Sequence, residues 1–366
     1  MHVVFRVDAS ISMGIGHVMR CLTLAEVLKR LDVKTTFITR MHQGNIADEI
    51  LVQGHEVLLL PELKSGFQRC RGDVAHAAWL GVTWEQDAEE TISAINGRSP
   101  DWLVVDHYAL DARWHRSLCS QVGRIFVIDD LADRDLDCDL LLDQTYGRDE
   151  KVYHELIHKR TRVLTGSHYA LLRQEFAEFR SHAIERRKHY KVINRILISM
   201  GGTDPRNATI TALKGIKRVS WAMPPTLDVV LGSKSPCLES VKRMVSLQQF
   251  NATISTDASN MAERMLEADI AIGAAGTTTW ERCCLGLPTV TICMAENQSG
   301  IARGVSKAGA SIDAGDVNQI AAKDIQNSVQ LLVDDIGLAT KISERCFLMV
   351  DGQGAARVAE CMVSAL

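Results

Sequence analysis

Short apolar runs alternate with amphipathic stretches along the first part of the chain. Runs rich in valine, isoleucine and leucine predict strands, and an apolar residue at every third or fourth position predicts helices between them. The strands predicted in this way are Val3–Val7, Thr35–Thr39, Glu56–Leu60, Trp102–Asp106, Arg124–Ile128 and Leu140–Leu142. Helices are predicted between most of them, for example over His17–Arg30 and Ala112–Ser120. This alternation is typical of a parallel sheet covered by helices.

A charged stretch, Arg173–Arg195, interrupts the alternation and predicts a helix followed by a connector. The strands predicted beyond it are Ile196–Ser199, Leu227–Leu231, Ala252–Ser255, Ile270–Ile272 and Thr289–Cys293. We therefore expect an α/β protein with two Rossmann-like doubly wound domains, residues 1–175 and 190–350, and an interdomain cleft that binds a ligand beyond the strand ends. Residues 351–366 contain a predicted helix that is expected to cross back to the first domain.

Composition narrows the possible partners and compartments. The 366 residues are 46% apolar and 23% charged with a net charge of −4, which does not suit a nucleic-acid-binding protein. Neither a signal sequence nor an apolar stretch near the ~20 residues of a membrane span is visible, so we expect a soluble, cytoplasmic protein. The ten cysteines include no C-x-x-C pair and predict free thiols rather than a zinc or redox motif.

The first candidate site is Asp8–Arg20, DASISMGIGHVMR, directly after a predicted strand. Gly14 and Gly16 allow a tight turn and a close approach of the backbone to a ligand. His17 then begins a predicted helix, where the positive end of the helix dipole disfavours imidazolium and leaves the neutral ring that a general base needs. Two alternatives remain open: His17 packs or caps the helix, or the loop binds a dinucleotide, although Met19 stands at the third glycine position of that motif.

Polar side chains also lie at the ends of the predicted strands Trp102–Asp106 and Arg124–Ile128. Asp106, His107 and Tyr108 place a carboxylate, an imidazole and a phenol at the same edge of the sheet. Asp106 would orient an imidazole or bind sugar hydroxyls, and the alternative is that these residues only make loop hydrogen bonds. Asp129 and Asp130 raise the question of a divalent cation, but no third ligand has suitable spacing and no metal is expected.

Two candidate loops follow strands of the second half. In Ser199–Asn207, SMGGTDPRN, the backbone N–H groups of Gly201 and Gly202 can contact an anion, or the pair forms a plain turn. After Thr289–Cys293, the amides of Asn297 and Gln298 can contact an N-acetyl group or a sugar hydroxyl.

The most informative segment is Ile272–Glu281, IGAAGTTTWE. A strand, a loop of small residues that includes Gly276, and a helix start form a place where phosphate can approach free N–H groups. Thr277 and Thr278 add hydroxyl donors, and Glu281, one turn further, can bind both hydroxyls of a ribose. No lysine follows the glycines, so this is not the phosphate loop of ATP hydrolases.

Taken together, these motifs resemble the UDP-2,4-diacetamido-2,4,6-trideoxy-β-L-altropyranose hydrolases of pseudaminic acid biosynthesis. The segments that carry the resemblance are FRVDASISMGIGHVMRCLTLA, VVDHYALDARW, IDDLADRDLDCDLLLDQ, YALLRQEF, ISMGGTDPRN, and GAAGTTTWERCCLGLPTV followed by ENQ. That family is similar to the bacterial N-acetylglucosaminyltransferase that completes lipid II, so the resemblance implies a GT-B fold. One departure is that Ala275 and Thr277 stand where the family loop is richer in glycine and serine.

The resemblance implies that water attacks C1 of the sugar with inversion, that UDP leaves, and that no metal or other cofactor takes part. It implies that His17 activates the water, that Tyr108 and Asn297 place the sugar, and that the loop at Gly276 holds the pyrophosphate. The expected catalytic residues are His17, Tyr108 and Asn297. The expected substrate contacts are Asp8, Gly14, Gly16, Arg20, Asp106, Gly201, Gly202, Gly276, Thr277, Thr278, Glu281 and Gln298. The expected partner is the UDP-sugar alone, bound by a monomer whose product serves flagellin or surface glycan glycosylation.

Other functions are compatible with the same motifs. An inverting glycosyltransferase of the GT-B fold would use a UDP-amino sugar and an acceptor other than water. The lipid-II type usually carries an apolar and basic patch on its first domain, and no such cluster is found between Arg40 and Trp84. A non-catalytic nucleotide-sugar binder and a dinucleotide-dependent oxidoreductase are the remaining alternatives.

Overall fold

The computed structural model describes residues 1–61, 72–189, 192–202, 204–247 and 251–365. The chain divides into two compact units. The first unit consists of Met1–Leu171 together with Gln353–Leu366, and the second of Leu172–Gly352. The helix that was predicted in the charged stretch belongs to the second unit, and residues 190 and 191 of that stretch lie outside the described residues.

The first unit contains a parallel sheet whose strands occur in the order β3-β2-β1-β4-β5-β6-β7. Its strands are β1 (His2–Val7), β2 (Lys34–Arg40), β3 (Glu56–Leu60), β4 (Trp102–Asp106), β5 (Arg124–Ile128), β6 (Leu140–Asp143) and β7 (Arg162–Thr165). Its first four helices are α1 (Gly16–Arg30), α2 (Ala47–Val52), α3 (Trp84–Ile95) and α4 (Ala112–Leu118). The strand order reverses between β1 and β4, and in doubly wound sheets ligands bind beyond the carboxyl ends of the strands at that point.

The central strands β1, β4 and β5 are buried on both faces because they are apolar at successive positions. Phe5 pairs in register with Phe37 on one side and Val104 on the other, and all three are fully buried. Leu22 and Leu28 on α1 cover one face of the sheet. Burial of each such leucine contributes about 1.5–3 kcal/mol. The helix that carries His17 is therefore anchored against the strand that precedes it.

The second unit contains a parallel sheet of the order β10-β9-β8-β11-β12-β13. Its strands are β8 (Arg195–Ser199), β9 (Thr226–Leu231), β10 (Ala252–Thr256), β11 (Ile270–Ala274), β12 (Thr289–Cys293) and β13 (Ile312–Asp316). Its helices are α5 (Gln174–Lys188), α6 (Ala208–Ile216), α7 (Leu238–Ser246), α8 (Met261–Glu267), α9 (Thr278–Cys284), α10 (Ser299–Lys307), α11 (Ala322–Asp334) and α12 (Ile336–Met349). Here the order reverses between β8 and β11.

The C-terminal helix α13 (Gly354–Val363) groups with the first unit. The Trp102 indole N–H donates a hydrogen bond of 3.2 Å to the carbonyl of Met362, and Val358 is fully buried in the same core. A Cβ on Gly354 would lie 2.3 Å from the carbonyl oxygen of Ala170, so only glycine permits this approach of the two backbones. No helix in the described part of the chain combines the length and the apolar character needed to cross a membrane.

Candidate functional site

The turn between β1 and α1 places His17 at the point where the first sheet reverses its strand order. The N–H of Gly14 donates to the carbonyl of Ser10 at 2.8 Å, and Gly14 has a φ of +75°, which favours glycine. Helix α1 begins at Gly16, so His17 is its second residue. Residues 8–15 connect β1 to α1, and the imidazole at the start of this helix lies beside the end of β4.

His17 is paired with the last residue of β4. Its Nδ1 lies 2.6 Å from Oδ1 of Asp106, and an ionised carboxylate only accepts hydrogen bonds, so Nδ1 carries the proton. The neutral ring then has its lone pair on Nε2, and no described residue hydrogen-bonds that atom. His17 has 11% of its side chain exposed, whereas Asp106 is fully buried. This arrangement suits a general base, because the carboxylate orients the ring and stabilises the imidazolium that forms.

Arg20 holds the carboxylate in place. Its Nε donates to Oδ2 of Asp106 at 2.6 Å and its Nη2 donates to Oδ1 at 2.7 Å. Burial opposes ionisation of Asp106, but the Arg20 guanidinium and His17 outweigh it and keep the pKa of Asp106 far below its ordinary range. Arg20 is 4% exposed and was expected to contact substrate, but its donors are used within the protein, so its structural position is that of a support for Asp106.

A second carboxylate completes this cluster. Nη1 of Arg20 contacts Oδ2 of Asp130 at 3.2 Å, and the Tyr108 hydroxyl donates to Oδ1 of Asp130. Burial raises the pKa of Tyr108 well above its ordinary value, so the hydroxyl stays protonated. Two carboxylates face one guanidinium, and a proton taken up by His17 brings the cluster to neutrality. Tyr108 is 3% exposed, and its hydroxyl is already occupied by Asp130.

Two aromatic residues that the sequence did not single out lie beside His17. His76 and Trp79 are on and next to a 3₁₀ turn, Ala77–Trp79, and both are half-buried. The ring centroid of His17 is 4.7 Å from that of Tyr108 and 6.2 Å from that of Trp79. The rings of His76 and Trp79 are 4.6 Å apart. No local sequence motif marks these two residues, because their position near the end of β4 depends on the folded structure.

Asp8 corrects one expectation. It is 1% exposed, and its carboxylate accepts hydrogen bonds from Arg6 at 2.7 and 2.9 Å and from the backbone N–H of Arg40 at 2.7 Å. Burial disfavours its charge, but Arg6 and the facing His107 hold its pKa well below the ordinary value. Asp87 on α3 makes a second ion pair with the same guanidinium, at 2.7 Å from Nη2 of Arg6. Asp8 therefore belongs to a buried ion network beneath the site rather than to a substrate-contacting surface.

Asp129 and Asp130 have different partners. Asp129 accepts hydrogen bonds from Arg134 at 2.7 Å and from the Tyr153 hydroxyl at 3.0 Å, and Asp130 faces Arg20. Within the described residues no group of three or more His, Cys, Asp or Glu side chains has the geometry of a metal site. The two adjacent carboxylates are thus held by arginine and tyrosine.

In the second unit, β11 ends in a loop of small residues before α9. A Cβ on Gly273 would lie 2.8 Å from Nη1 of Arg282 and 2.9 Å from the carbonyl oxygen of Ser199, so this position tolerates only glycine. At Gly276 the nearest atom to an added Cβ would be Nε2 of Gln298 at 3.5 Å, so the space above this residue is open. The loop is thus tightly packed at Gly273 and accessible at Gly276.

Arg282 is a second residue that sequence reasoning missed. It is 3% exposed, and its Nη2 donates to the carbonyl of Ala274 at 2.6 Å while its Nη1 donates to the Thr278 hydroxyl at 3.1 Å. No carboxylate of the described residues lies within ion-pair distance of it, and burial lowers its pKa. A cation buried without a counter-ion makes the loop above it attractive to an anion. Helix α9 has only seven residues and adds little to this potential.

The remaining predicted residues of this unit lie around the loop. Glu281 has 17% of its side chain exposed, its nearest cation is Arg173 at 3.8 Å, and burial raises its pKa. Thr277 precedes α9 and is half-buried. Asn297 is exposed on the 3₁₀ turn Glu296–Gln298, and Oε1 of Gln298 accepts a hydrogen bond from Met294.

The glycine pair after β8 lies at the same reversal of strand order as the loop after β11. Gly201 and Gly202 are both exposed, and Gly201 has a φ of +90°. The carbonyl of Gly202 accepts a hydrogen bond of 2.9 Å from the N–H of Gly232, which fixes the turn. Thr203 of the same motif lies outside the described residues.

Comparisons with known proteins bear on this arrangement. The UDP-2,4-diacetamido-2,4,6-trideoxy-β-L-altropyranose hydrolase of Campylobacter jejuni is 25% identical over 86% of the chain and 99% of that protein. The chain is thus similar to this hydrolase over most of both sequences. The resemblance inferred from the motifs is thereby confirmed. The spore coat polysaccharide biosynthesis protein SpsG of Bacillus subtilis is 24% identical over 98% of the chain and 96% of that protein.

Solved structures confirm the fold. The crystal structure of MurG from Acinetobacter baumannii matches with a TM-score of 0.69 at 13% identity, and the match covers 99% of each chain. The expected GT-B fold with two doubly wound sheets is therefore confirmed. No family model matches the chain.

Proposed function

We propose that this chain is a UDP-sugar hydrolase that releases UDP from UDP-2,4-diacetamido-2,4,6-trideoxy-β-L-altropyranose by attack of water at C1. The observation that carries the proposal is the pairing of His17 with Asp106 at 2.6 Å, which leaves Nε2 without a hydrogen-bond partner among the described residues. A hydrolase of this substrate is 25% identical over 86% of the chain, which supports the choice of substrate.

In the proposed reaction, Nε2 of His17 removes a proton from water while the water oxygen bonds to C1. The bond between C1 and the phosphate oxygen breaks, UDP leaves with the electron pair, and C1 inverts. Asp106 stabilises the imidazolium, and Arg20 keeps Asp106 ionised. General-base assistance of this kind typically contributes ~10²–10⁴-fold in rate.

We propose that the second unit binds the nucleotide. Its open loop at Gly276 and the hydroxyls of Thr277 and Thr278 would contact the diphosphate, above the buried guanidinium of Arg282. Glu281 in its ionised form would accept hydrogen bonds from the ribose hydroxyls. UDP is a good leaving group, so positioning and charge stabilisation can account for much of the acceleration.

We also propose roles for the other predicted residues. Asn297 is exposed and would bind an acetamido group, and the exposed N–H groups of Gly201 and Gly202 would face the substrate. Tyr108 acts through its ring and through Asp130, because its hydroxyl is occupied. The first unit carries the proposed base, and the second unit carries the residues proposed to bind the nucleotide.

An inverting glycosyltransferase is the second candidate, favoured by the match to MurG over 99% of both chains. His17 would then deprotonate an acceptor hydroxyl instead of water. The two functions differ in a simple measurement, because a hydrolase releases UDP at full rate without an acceptor.

The test is to incubate the full chain with the UDP-sugar and to follow UDP by a coupled assay. We expect acceptor-independent UDP release, and we expect the His17→Ala variant to lose activity while it still binds UDP. Near-wild-type turnover by His17→Ala would refute the assignment of the base. A steep rise in UDP release on addition of a glycan acceptor would favour the transferase.

A further inference from the structure

His76 and Trp79 stand beside the proposed base without a role in the reaction described above. We propose that these two residues form the surface that binds the sugar, and that the Trp79 indole selects a sugar with an N-acyl substituent. This inference rests on the proposed function, since it takes His17 as the base. It adds the residues that recognise the substrate's sugar.

The distances around His17 support this placement. A general base lies about 2.6–3.2 Å from the water it deprotonates, and that water lies about 3–3.5 Å from the carbon it attacks. Because the angle at the water oxygen is near tetrahedral, the anomeric carbon is then about 5 Å from the base nitrogen. The centroids of the His17 and Trp79 rings are 6.2 Å apart. The indole thus lies at a distance from the His17 ring that a hexose bound with its C1 at this water can span, and we place the sugar ring against it.

The chemistry of the two rings suits a deoxygenated, acylated sugar. Trp79 is half-buried, so part of its apolar face is accessible to the C–H groups of a sugar or to acetyl and C6 methyl groups. No described residue accepts a hydrogen bond from its indole N–H, which can therefore donate to an acyl carbonyl. Desolvation lowers the pKa of His76, so its imidazole is neutral at neutral pH and adds a second uncharged ring 4.6 Å away.

The ring of Tyr108 holds the Trp79 side chain in position. The Tyr108 ring lies 5.6 Å from the indole and 4.7 Å from the His17 ring, and Tyr108 is itself held by Asp130. The Tyr108 ring thus supports the indole of Trp79 on one side, and part of the opposite side of the indole is accessible. A ligand surface next to a base requires such fixed geometry, because misplacement of the sugar by about 1 Å reduces the rate by roughly 10²-fold.

Two variants separate the functions of the indole. Trp79→Phe keeps an aromatic face but removes the N–H donor, and Trp79→Ala removes both. We expect KM for the diacetamido substrate to rise about 2–10-fold in Trp79→Phe, because a hydrogen bond is lost, and at least ~10-fold in Trp79→Ala. The affinity for UDP should be unchanged in both. Trp84→Phe is the matched control, because Trp84 on α3 packs against Arg113 on α4 and should behave as wild type.

A second measurement detects the contact without turnover. The His17→Ala protein is labelled with 5-fluorotryptophan, and the Trp79 resonance is assigned by the loss of a signal in the His17→Ala, Trp79→Phe double variant. We expect this ¹⁹F resonance to shift when the UDP-sugar is added and to stay in place with UDP alone. This measurement also remains available if Trp79→Ala does not fold.

The outcomes distinguish the two claims. Unchanged KM in Trp79→Ala, or a ¹⁹F resonance of Trp79 that does not respond to the UDP-sugar, overturns the inference while the hydrolase function stands. If wild-type protein releases no UDP from the substrate, the proposed function fails, and the assignment of the sugar surface fails with it.

Discussion

Replacement of Asp106 by asparagine tests how the proposed base is activated. The carboxylate accepts hydrogen bonds from His17 and from two nitrogens of Arg20. In Asp106→Asn, the amide oxygen satisfies Arg20 best, which turns the NH₂ group toward Nδ1 of His17. Nδ1 must then accept, and the proton moves to Nε2, where it blocks removal of a proton from water.

The magnitude follows from the geometry. Opposite unit charges about 4 Å apart attract by about 4 kcal/mol at an effective dielectric constant of ~20, and this attraction between Asp106 and the imidazolium is lost. A barrier higher by about 4 kcal/mol slows the reaction by about three orders of magnitude. We therefore expect kcat for UDP release to fall about 10³-fold, with little change in UDP affinity, because we propose that the nucleotide binds to residues of the second unit.

Stability has to be measured alongside activity, because Asp106 is buried. Loss of one partner of a buried ion pair costs about 3–5 kcal/mol, and we expect a value at or below this range because Asp130 still faces Arg20. For a unit of this size Tm falls by about 2–4 °C for each kcal/mol. Assays are therefore run well below the transition, with Asp133→Asn as the control, because Asp133 also pairs with a buried arginine but does not contact His17.

The result that refutes this reasoning is a kcat of Asp106→Asn within tenfold of wild type, measured on fully folded protein. A loss of activity that follows the folded fraction alone would also contradict it, because the carboxylate would then be only a structural group.

Three further predictions follow from the same structure. Gly273→Ala should lower the free energy of unfolding by about 1–3 kcal/mol, because its Cβ would overlap a buried guanidinium and a backbone carbonyl. Gly276→Ala should keep the wild-type Tm but weaken UDP binding, measured by calorimetry. Burial raises the pKa of the Glu281 carboxyl above 4.5, so its contribution to stability is fully present below about pH 4.5 and is lost as pH rises through the raised value. The affinity for UDP should instead rise with pH over this range, because the ionised carboxylate is the form proposed to bind the ribose. Glu281→Gln should flatten both pH profiles when the two proteins are titrated in parallel. Asp8→Asn should lower the free energy of unfolding in urea by about 3–5 kcal/mol, and an Asp8→Asn protein of normal stability would show that the buried ion network is not needed. Asn297→Ala should leave the stability unchanged and raise KM, because Asn297 is exposed.

Much of the fold follows from local patterns. Trp102–Asp106 and Arg124–Ile128 are strands with the predicted bounds, because central parallel strands are apolar on both faces and give continuous signals. Glu56–Leu60 also has the predicted bounds although it lies at a sheet edge, because its sequence EVLLL is itself an apolar run. The strands β7 and β13 were not predicted. Both lie at sheet edges, and segments such as Ile312–Asp316, IDAGD, combine partial exposure with polar residues and a glycine, so no apolar run marks them.

The site was only partly predictable. His17 and Asp106 follow strands that neighbour each other at the reversal of strand order, so their proximity follows from the doubly wound pattern. Trp79 and Arg282 have no such signal, because their positions depend on long-range packing. Asp8 stands in the same motif as His17, but whether its carboxylate faces a ligand or the core depends on Arg6 and Arg40, which only the folded structure brings to it.

The central claim is that activated water attacks carbon rather than phosphorus. The direct measurement is hydrolysis of the UDP-sugar in H₂¹⁸O, with the UDP product examined by ³¹P NMR, where an ¹⁸O atom on phosphorus shifts the resonance. Attack at C1 leaves UDP without label and places the ¹⁸O in the sugar. An isotope-shifted β-phosphate resonance would place the attack at phosphorus and contradict the account.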